Sequence, residues 1–326
     1  MKKLLIGFLT YALAGWSAVS PLQADPLNFE VSGMAPLANG GGFITVLDTK
    51  TGPEPPWSTR VGVLKVSESG NLTYQPFAIS DWGHEEELPN DLEACCPIPG
   101  RPDEFLIAES GYYKGRFGRI FHIKVTLVPG SDYYTGEVLS FFRPDLKPTP
   151  DYTTPGPLQI EGLGCLKTQG GWAVVLGRRG GKGEPGSLSW GSLTLPDLEY
   201  KPVDEAIIDF RPGEKGMRSC ADLLLVEREG RQIVLRVAAA DPADFGPFSS
   251  FVCEAGEFVL DKGKLRYKPF KEQPVWWELD GLKVEALAPC RLGISEYCIG
   301  TDDEIYGGVW RPLPKPRKND NARPKT

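Results

Sequence analysis

Residues 282–289 read LKVEALAP, a strand-like apolar run with a carboxylate, Glu285, near its middle. An ionised carboxylate in such a setting is costly unless it is paired, hydrogen-bonded or coordinated. The same arrangement occurs in QIEGLGCL (159–166), around Glu161, and in NDLEACCP (90–97), around Glu93. Each stretch is followed by a second apolar run ending in polar or charged residues. These are RPDEFLIAESGYYKGR (101–116), TQGGWAVVLGRRGGKG (168–183) and GISEYCIGTDDEIYGG (293–308). Two further segments match if serine stands in for glutamate. EVSGMAPLANGGGFITVLDTKTG (30–52) puts Ser32 in the slot, and MRSCADLLLVEREGRQIVLRVAAADP (217–242) puts Ser219 there. The five slots are separated by 61, 68, 58 and 66 residues, which is the spacing of a repeat.

Within a unit the pattern is of short strands joined by Gly, Ser and Asn turns. GGFITVLD, RVGVLKVSESG and NLTYQPFAI follow one another in the first unit, and SFVCEAGEFVLDKGKLRYKPF in the fourth reads as a meander. No amphipathic helix follows the N-terminal segment. Five helix-free meanders predict an all-β, five-bladed β-propeller closed around a central channel, where closure protects the sheet edges. Six blades is the alternative count, if the long fourth unit hides an extra one. Little chain remains after YGGVWRPL, so the closing blade is expected to borrow a strand from PLNFEV (26–31).

The chain opens MKKLLIGFLTYALAGWSAVSPLQADP, with a charged start, an apolar run and a small residue, Ala24, before Asp25. That is the pattern of a secretory signal peptide over residues 1–24. The expectation is an exported protein, periplasmic or extracellular, with no membrane attachment after cleavage. Residues 25–312 form the propeller, and 313–326 a basic, Pro-rich, solvated tail. A formal charge of −7 argues against a nucleic-acid partner. Seven cysteines in the mature chain leave at least one unpaired, and Cys290 with Cys298 could bridge a hairpin. Only two histidines are present, which excludes a His-rich metal site, and no nucleophile elbow, P-loop or dinucleotide fingerprint occurs.

In a propeller the first strand of each blade lines the channel. Ser32, Glu93, Glu161, Ser219 and Glu285 are therefore expected to form one ring around the axis. Three crowded carboxylates raise one another's pKa unless a cation balances them. An all-oxygen set of this kind suits a hard cation, with Ca2+ favoured over magnesium in a roomy protein cage. The plainer reading makes these residues strand caps hydrogen-bonded to backbone in a water-filled channel.

The slot order Ser, Glu, Glu, Ser, Glu on five blades resembles the calcium-activated nucleotidases, or apyrases. GGFITVLDTKTG resembles that family's first-blade hairpin, with Asp48 at its acidic turn. WAVVLGRRGG resembles its third-blade hairpin, with Arg178 and Arg179, and YCIGTDDE its last-blade run, with Asp302, Asp303 and Glu304. The EGL inner strands are also similar to bacterial phytase-like esterase propellers. The loops, CCPIPGRPDE among them, depart from the nucleotidase pattern. The resemblance implies channel calcium and a small phosphorylated or ester substrate. Cleavage would then be metal-assisted hydrolysis of a phosphoanhydride or phosphoester. Arg178 and Arg179 would bind phosphoryl oxygens, and Asp48, Glu109 or Asp302 would position or deprotonate water. The alternatives are a non-catalytic ligand- or partner-binding propeller with structural calcium, and a phytase-like esterase or phosphatase. In either, GRRGGKG and TDDE also read as ordinary surface turns.

Overall fold

The computed structural model describes residues 30–316 apart from 49–59, 68–69, 78, 81, 83–87, 112–117, 145–158, 182–183, 196–197, 212–215, 262–263 and 291–294. The expected signal peptide, the end of the tail and most of PLNFEV lie outside the described residues. The described chain forms five sheets and no α-helix, only one 3-10 turn at Glu304–Tyr306.

Blade 1 is β1 (Gly33–Pro36), β2 (Phe43–Val46), β3 (Val61–Val66) and β4 (Leu72–Pro76). Blade 2 has β5 (Ile79–Ser80) parallel to the outer edge of a meander. That meander is β6 (Leu92–Pro97), β7 (Glu104–Glu109), β8 (Ile120–Leu127) and β9 (Tyr134–Phe142). Blade 3 is β10 (Ile160–Thr168), β11 (Gly171–Arg178), β12 (Ser187–Thr194) and β13 (Glu199–Ile207). Blade 4 is β14 (Met217–Arg228), β15 (Arg231–Ala240), β16 (Ser249–Asp261), β17 (Lys264–Pro269) and β18 (Val275–Asp280). Blade 5 is β19 (Val284–Pro289), β20 (Tyr297–Thr301) and β21 (Trp310–Pro312).

The innermost strands β1, β6, β10, β14 and β19 each contact the next, and β19 returns to β1. This closes a five-bladed propeller. The long fourth unit adds a strand, not a sixth blade: β18 and β17 share the outer side of β16. Blade 5 has three described strands. Of the stretch expected to complete it, Glu30 and Val31 are described, and the Val31 amide donates to the Thr301 carbonyl at 3.0 Å.

The core is divided among the seams between blades. One apolar cluster fills each junction, such as Ile44 and Val63 against Ile107 and Phe121, or Leu106 and Ile120 against Leu163 and Val174. The same holds at the other three junctions. Both faces of a blade are thus covered, so inner strands read as unbroken apolar runs and not as alternating ones. Near the axis the seams are narrow. A Cβ on Gly33 would lie 2.9 Å from the Cα of Ala94 in the next blade, and one on Gly162 would lie 3.0 Å from the Leu223 amide. A glycine directly after Ser32 and after Glu161 is what lets those strands approach.

All seven cysteines are buried thiols, including Cys290 and Cys298, which contact each other without a covalent bond. The hairpin disulfide entertained above is absent.

Candidate functional site

Each slot glutamate occupies a β-bulge at the start of its inner strand. Leu92 pairs with Glu109 and Ala94 with Ala108, leaving Glu93 as the extra residue. Glu161 is skipped between Ile160 and Gly162, and Glu285 between Val284 and Ala286. On β14 the irregularity is wider and takes in Ser219, Cys220 and Ala221. A bulge frees one residue from the ladder and re-aims its side chain. Here it turns the slot residues toward the axis.

The three glutamates meet there, but with cations supplied by the chain itself. Arg218, next to Ser219, donates through Nη1 to Glu285 Oε1 at 3.1 Å and to Glu161 Oε2 at 3.5 Å, while its Nη2 pairs with Asp241. Arg179 Nη1 reaches Glu161 Oε1 at 3.1 Å. Lys283 Nζ lies 3.0 Å from Glu285 Oε1 and 3.1 Å from Asp302 Oδ2, and also binds Glu304. Burial raises the Glu285 carboxyl against the pull of Lys283 and Arg218. The expectation of a ring of oxygens alone is therefore corrected: this half of the mouth is a network of buried ion pairs.

The other half differs. Glu93 is 9 % exposed, and among the described residues no hydrogen bond or ion pair reaches its carboxylate. Burial, then Asp91, Glu161, Glu285 and Asp48, push its pKa well above the ordinary range. One carboxylate oxygen each from Asp48, Asp91 and Glu93 lie within 4.8 Å of one another. Asp91, at φ 60°, precedes β6 and accepts from Ser110. Glu30 stands nearby, its pKa raised to about 7 by burial and by Asp302, Asp48 and Glu304.

The remaining sequence candidates separate. Ser32 Oγ accepts the Asp48 amide and Ser219 Oγ the Phe210 amide, both at 3.1 Å, so each pins a neighbouring crossover. Asp302 accepts from Lys283 and from the Glu304 amide. Arg178 turns away to Glu205 at 3.6 Å on the outer strand of its own blade. Glu109 has zero exposure. It accepts from the Asn90, Gly118 and Arg119 amides and from the Arg119 guanidinium at 2.6 and 3.0 Å. Those five donors saturate it, which gives it a structural place and no free lone pair for water.

Sequence reading missed Glu30, Asp91, Lys283 and Arg218. The first three had a signal: each lies two positions before a slot residue, and residues two apart on a strand share a face. Arg218 had none, because only the wide bulge of β14 brings it to the axis.

As to the cation that the family resemblance implies, Glu161 and Glu285 already face basic side chains and are poor ligands. Asp48, Asp91 and Glu93 fit a hard divalent ion, being oxygen donors close together around a buried carboxyl that no hydrogen bond or ion pair reaches among the described residues.

No family model matches the chain, and no curated protein matches it. Among solved structures it is similar to a thermostable family-43 glycoside hydrolase, with 10 % identity over 90 % of this chain and 99 % of the other and a TM-score of 0.49. It is similar to Sqt1 from Chaetomium thermophilum, with 11 % identity over 90 % of this chain and 74 % of the other and a TM-score of 0.38. The third is the Dos1 propeller, with 10 % identity, coverage of 86 % and 69 %, and a TM-score of 0.34. Likenesses this distant carry no substrate, so any reading of function rests on the channel mouth.

Proposed function

We propose that the chain is an exported propeller whose channel mouth takes a divalent cation, calcium by its ligand chemistry, beside Glu93. The bound ion there serves hydrolysis of a small phosphorylated substrate. The observation that carries this reading is the Asp48–Asp91–Glu93 cluster, three carboxylate oxygens within 4.8 Å around a buried side chain with no partner. Burial and the neighbouring carboxylates favour the protonated form of Glu93, and a bound cation would hold it ionised.

Bound there, the cation supplies positive charge against phosphoryl oxygens. The chain supplies the rest. Arg179, about a quarter exposed and tied to Glu161 by one nitrogen, keeps donors for a non-bridging oxygen. Arg218 and Lys283 hold Glu161 and Glu285 in place, so the wall facing the substrate is rigid. Glu30 is a half-buried carboxyl poised near neutrality, suited to take a proton from water at the mouth.

A second reading has its own support. The Arg218 clamp joins blades 3, 4 and 5. A cation at Asp48–Asp91–Glu93 completes the circle across blades 1 and 2 as a purely structural tie.

Phosphate release from nucleoside triphosphates and from phosphomonoesters, with calcium and then with chelator, separates the readings. Calcium-dependent release from anhydrides supports the nucleotidase-like reading, and release from monoesters alone the phytase-like one. Calorimetric calcium binding without turnover leaves the structural tie. Absence of binding by the folded protein removes all three.

A further inference from the structure

The seam between blades 3 and 4 buries a charge that the channel does not use. Arg236, on β15, has zero exposure and lies opposite Cys253 of β16. Its Nε donates to Cys253 Sγ at 3.4 Å, and its Nη2 to the Asp209 carbonyl at 3.1 Å and to Gln273 Oε1. All three acceptors are neutral. Nη1 is buried without an acceptor, and no carboxylate comes within ion-pairing distance among the described residues. The guanidinium also stands 5.2 Å from the Phe210 ring centroid, which softens its charge without cancelling it.

Blade 2 shows the usual solution to the same problem. Arg119, equally buried, is held by both oxygens of Glu109. Arginine does not shed its proton in a protein, and an unpaired buried charge is strongly destabilising. The thiols beside Arg236 do not supply the missing charge, since burial holds both Cys253 and Cys220 protonated. A second buried donor without a partner lies in the same seam. This is the Tyr267 hydroxyl, close enough for the guanidinium to restrain its burial-driven rise.

We propose that Arg236 is an internal anion site, in which one small monovalent anion of the halide class sits against Nη1 with the Tyr267 hydroxyl as second donor. The two N–H groups of Nη1 and one O–H suit a monatomic ion. A phosphate or sulfate needs more donors and brings more charge than one guanidinium balances. The site is distinct from the carboxylate cluster at the channel mouth and independent of what binds there. It does back the ring, because the Asp209 carbonyl it orders precedes Phe210, whose amide is held by Ser219 of the channel.

The test is thermal unfolding of the metal-free full chain in sodium chloride or bromide against sodium gluconate at equal ionic strength. The expected result is a saturable rise in melting temperature with either halide. That rise is lost in Arg236→Met, and in Tyr267→Phe half-saturation needs several-fold more halide. Crystals soaked in bromide should show an anomalous peak within hydrogen-bonding distance of Nη1. Equal melting temperatures in gluconate and halide, or a bromide map without that peak, overturn the proposal. If Arg236→Met does not fold, the Tyr267→Phe titration and the bromide map decide.

Discussion

The two halves of the channel mouth begin from the same sequence device and end in opposite electrostatic states. Around Glu161 and Glu285 the chain supplies its own cations, and Arg218 alone touches carboxylates of three blades. Around Glu93 there are two further carboxylates, Asp48 and Asp91, and no base paired with Glu93 among the described residues. A bulged glutamate at the start of an inner strand is thus only a way of delivering a carboxylate to the axis. What the carboxylate does is decided by the neighbour that arrives with it.

The largest effect should come from breaking the compensated half. Arg218→Met leaves Glu161, Glu285 and Asp241 facing one another in a buried site. Removing one partner of a buried ionic network costs about 3–5 kcal/mol, which denaturant titration would read directly. A loss within a few tenths of a kcal/mol would mean the clamp does not bind the blades together.

The uncompensated half should respond to metal. At a hundredfold excess over its Kd, calcium should stabilise the protein by about 2.7 kcal/mol, and chelator should reverse this. Glu93→Gln sharpens the contrast because its two effects have opposite signs. The variant should lose calcium affinity by about tenfold or more, a loss of at least ~1.4 kcal/mol. Without metal it should be more stable than the parent by about 1 kcal/mol, since burying Glu93 requires it to take up a proton and burying the amide does not. A variant less stable than the parent in chelator would show that Glu93 is already paired.

A smaller effect should follow pH. Glu30 is raised from 4.5 to about 7, so the folded form holds its proton more tightly than the unfolded chain. Its contribution is full below the unfolded value and is lost as pH rises toward and through 7. Metal-free protein should therefore lose stability from pH 5 to pH 8, by less than ~1 kcal/mol from this half-exposed group after solvent screening. Glu30→Gln should flatten that slope, and an unchanged slope would place its origin elsewhere.

The smallest effect is expected at Arg178. Its partner Glu205 is half exposed, so Arg178→Ala should change stability by no more than about 0.5 kcal/mol. It should leave phosphate release untouched, whereas Arg179→Ala should reduce it. Equal losses in the two variants would return Arg178 to the mouth.

Much of this was legible in the sequence. Five evenly spaced slots, short strands and turn residues were enough to expect five blades and an inward ring. Those features are local: strand pairing has a period of two, and Gly33 and Gly162 mark where strands crowd the axis. Glu109 shows the limit. It ends a strand beside a channel glutamate and reads as an acid at a loop, yet Arg119 and three amides fill its lone pairs. The paired arginines at 178–179 show it again, because adjacent residues on a strand point to opposite sides. One reaches the axis and the other the blade's outer strand.

By itself the sequence determined the five blades and the glutamate or serine near the inner end of each. Only the tertiary structure decided which carboxylates are balanced. Arg218, the partner that Glu285 and Glu161 share, is 67 residues from the first and 57 from the second, and in a blade next to each. Ring closure brings such residues within hydrogen-bonding distance, and no local pattern records that they will meet.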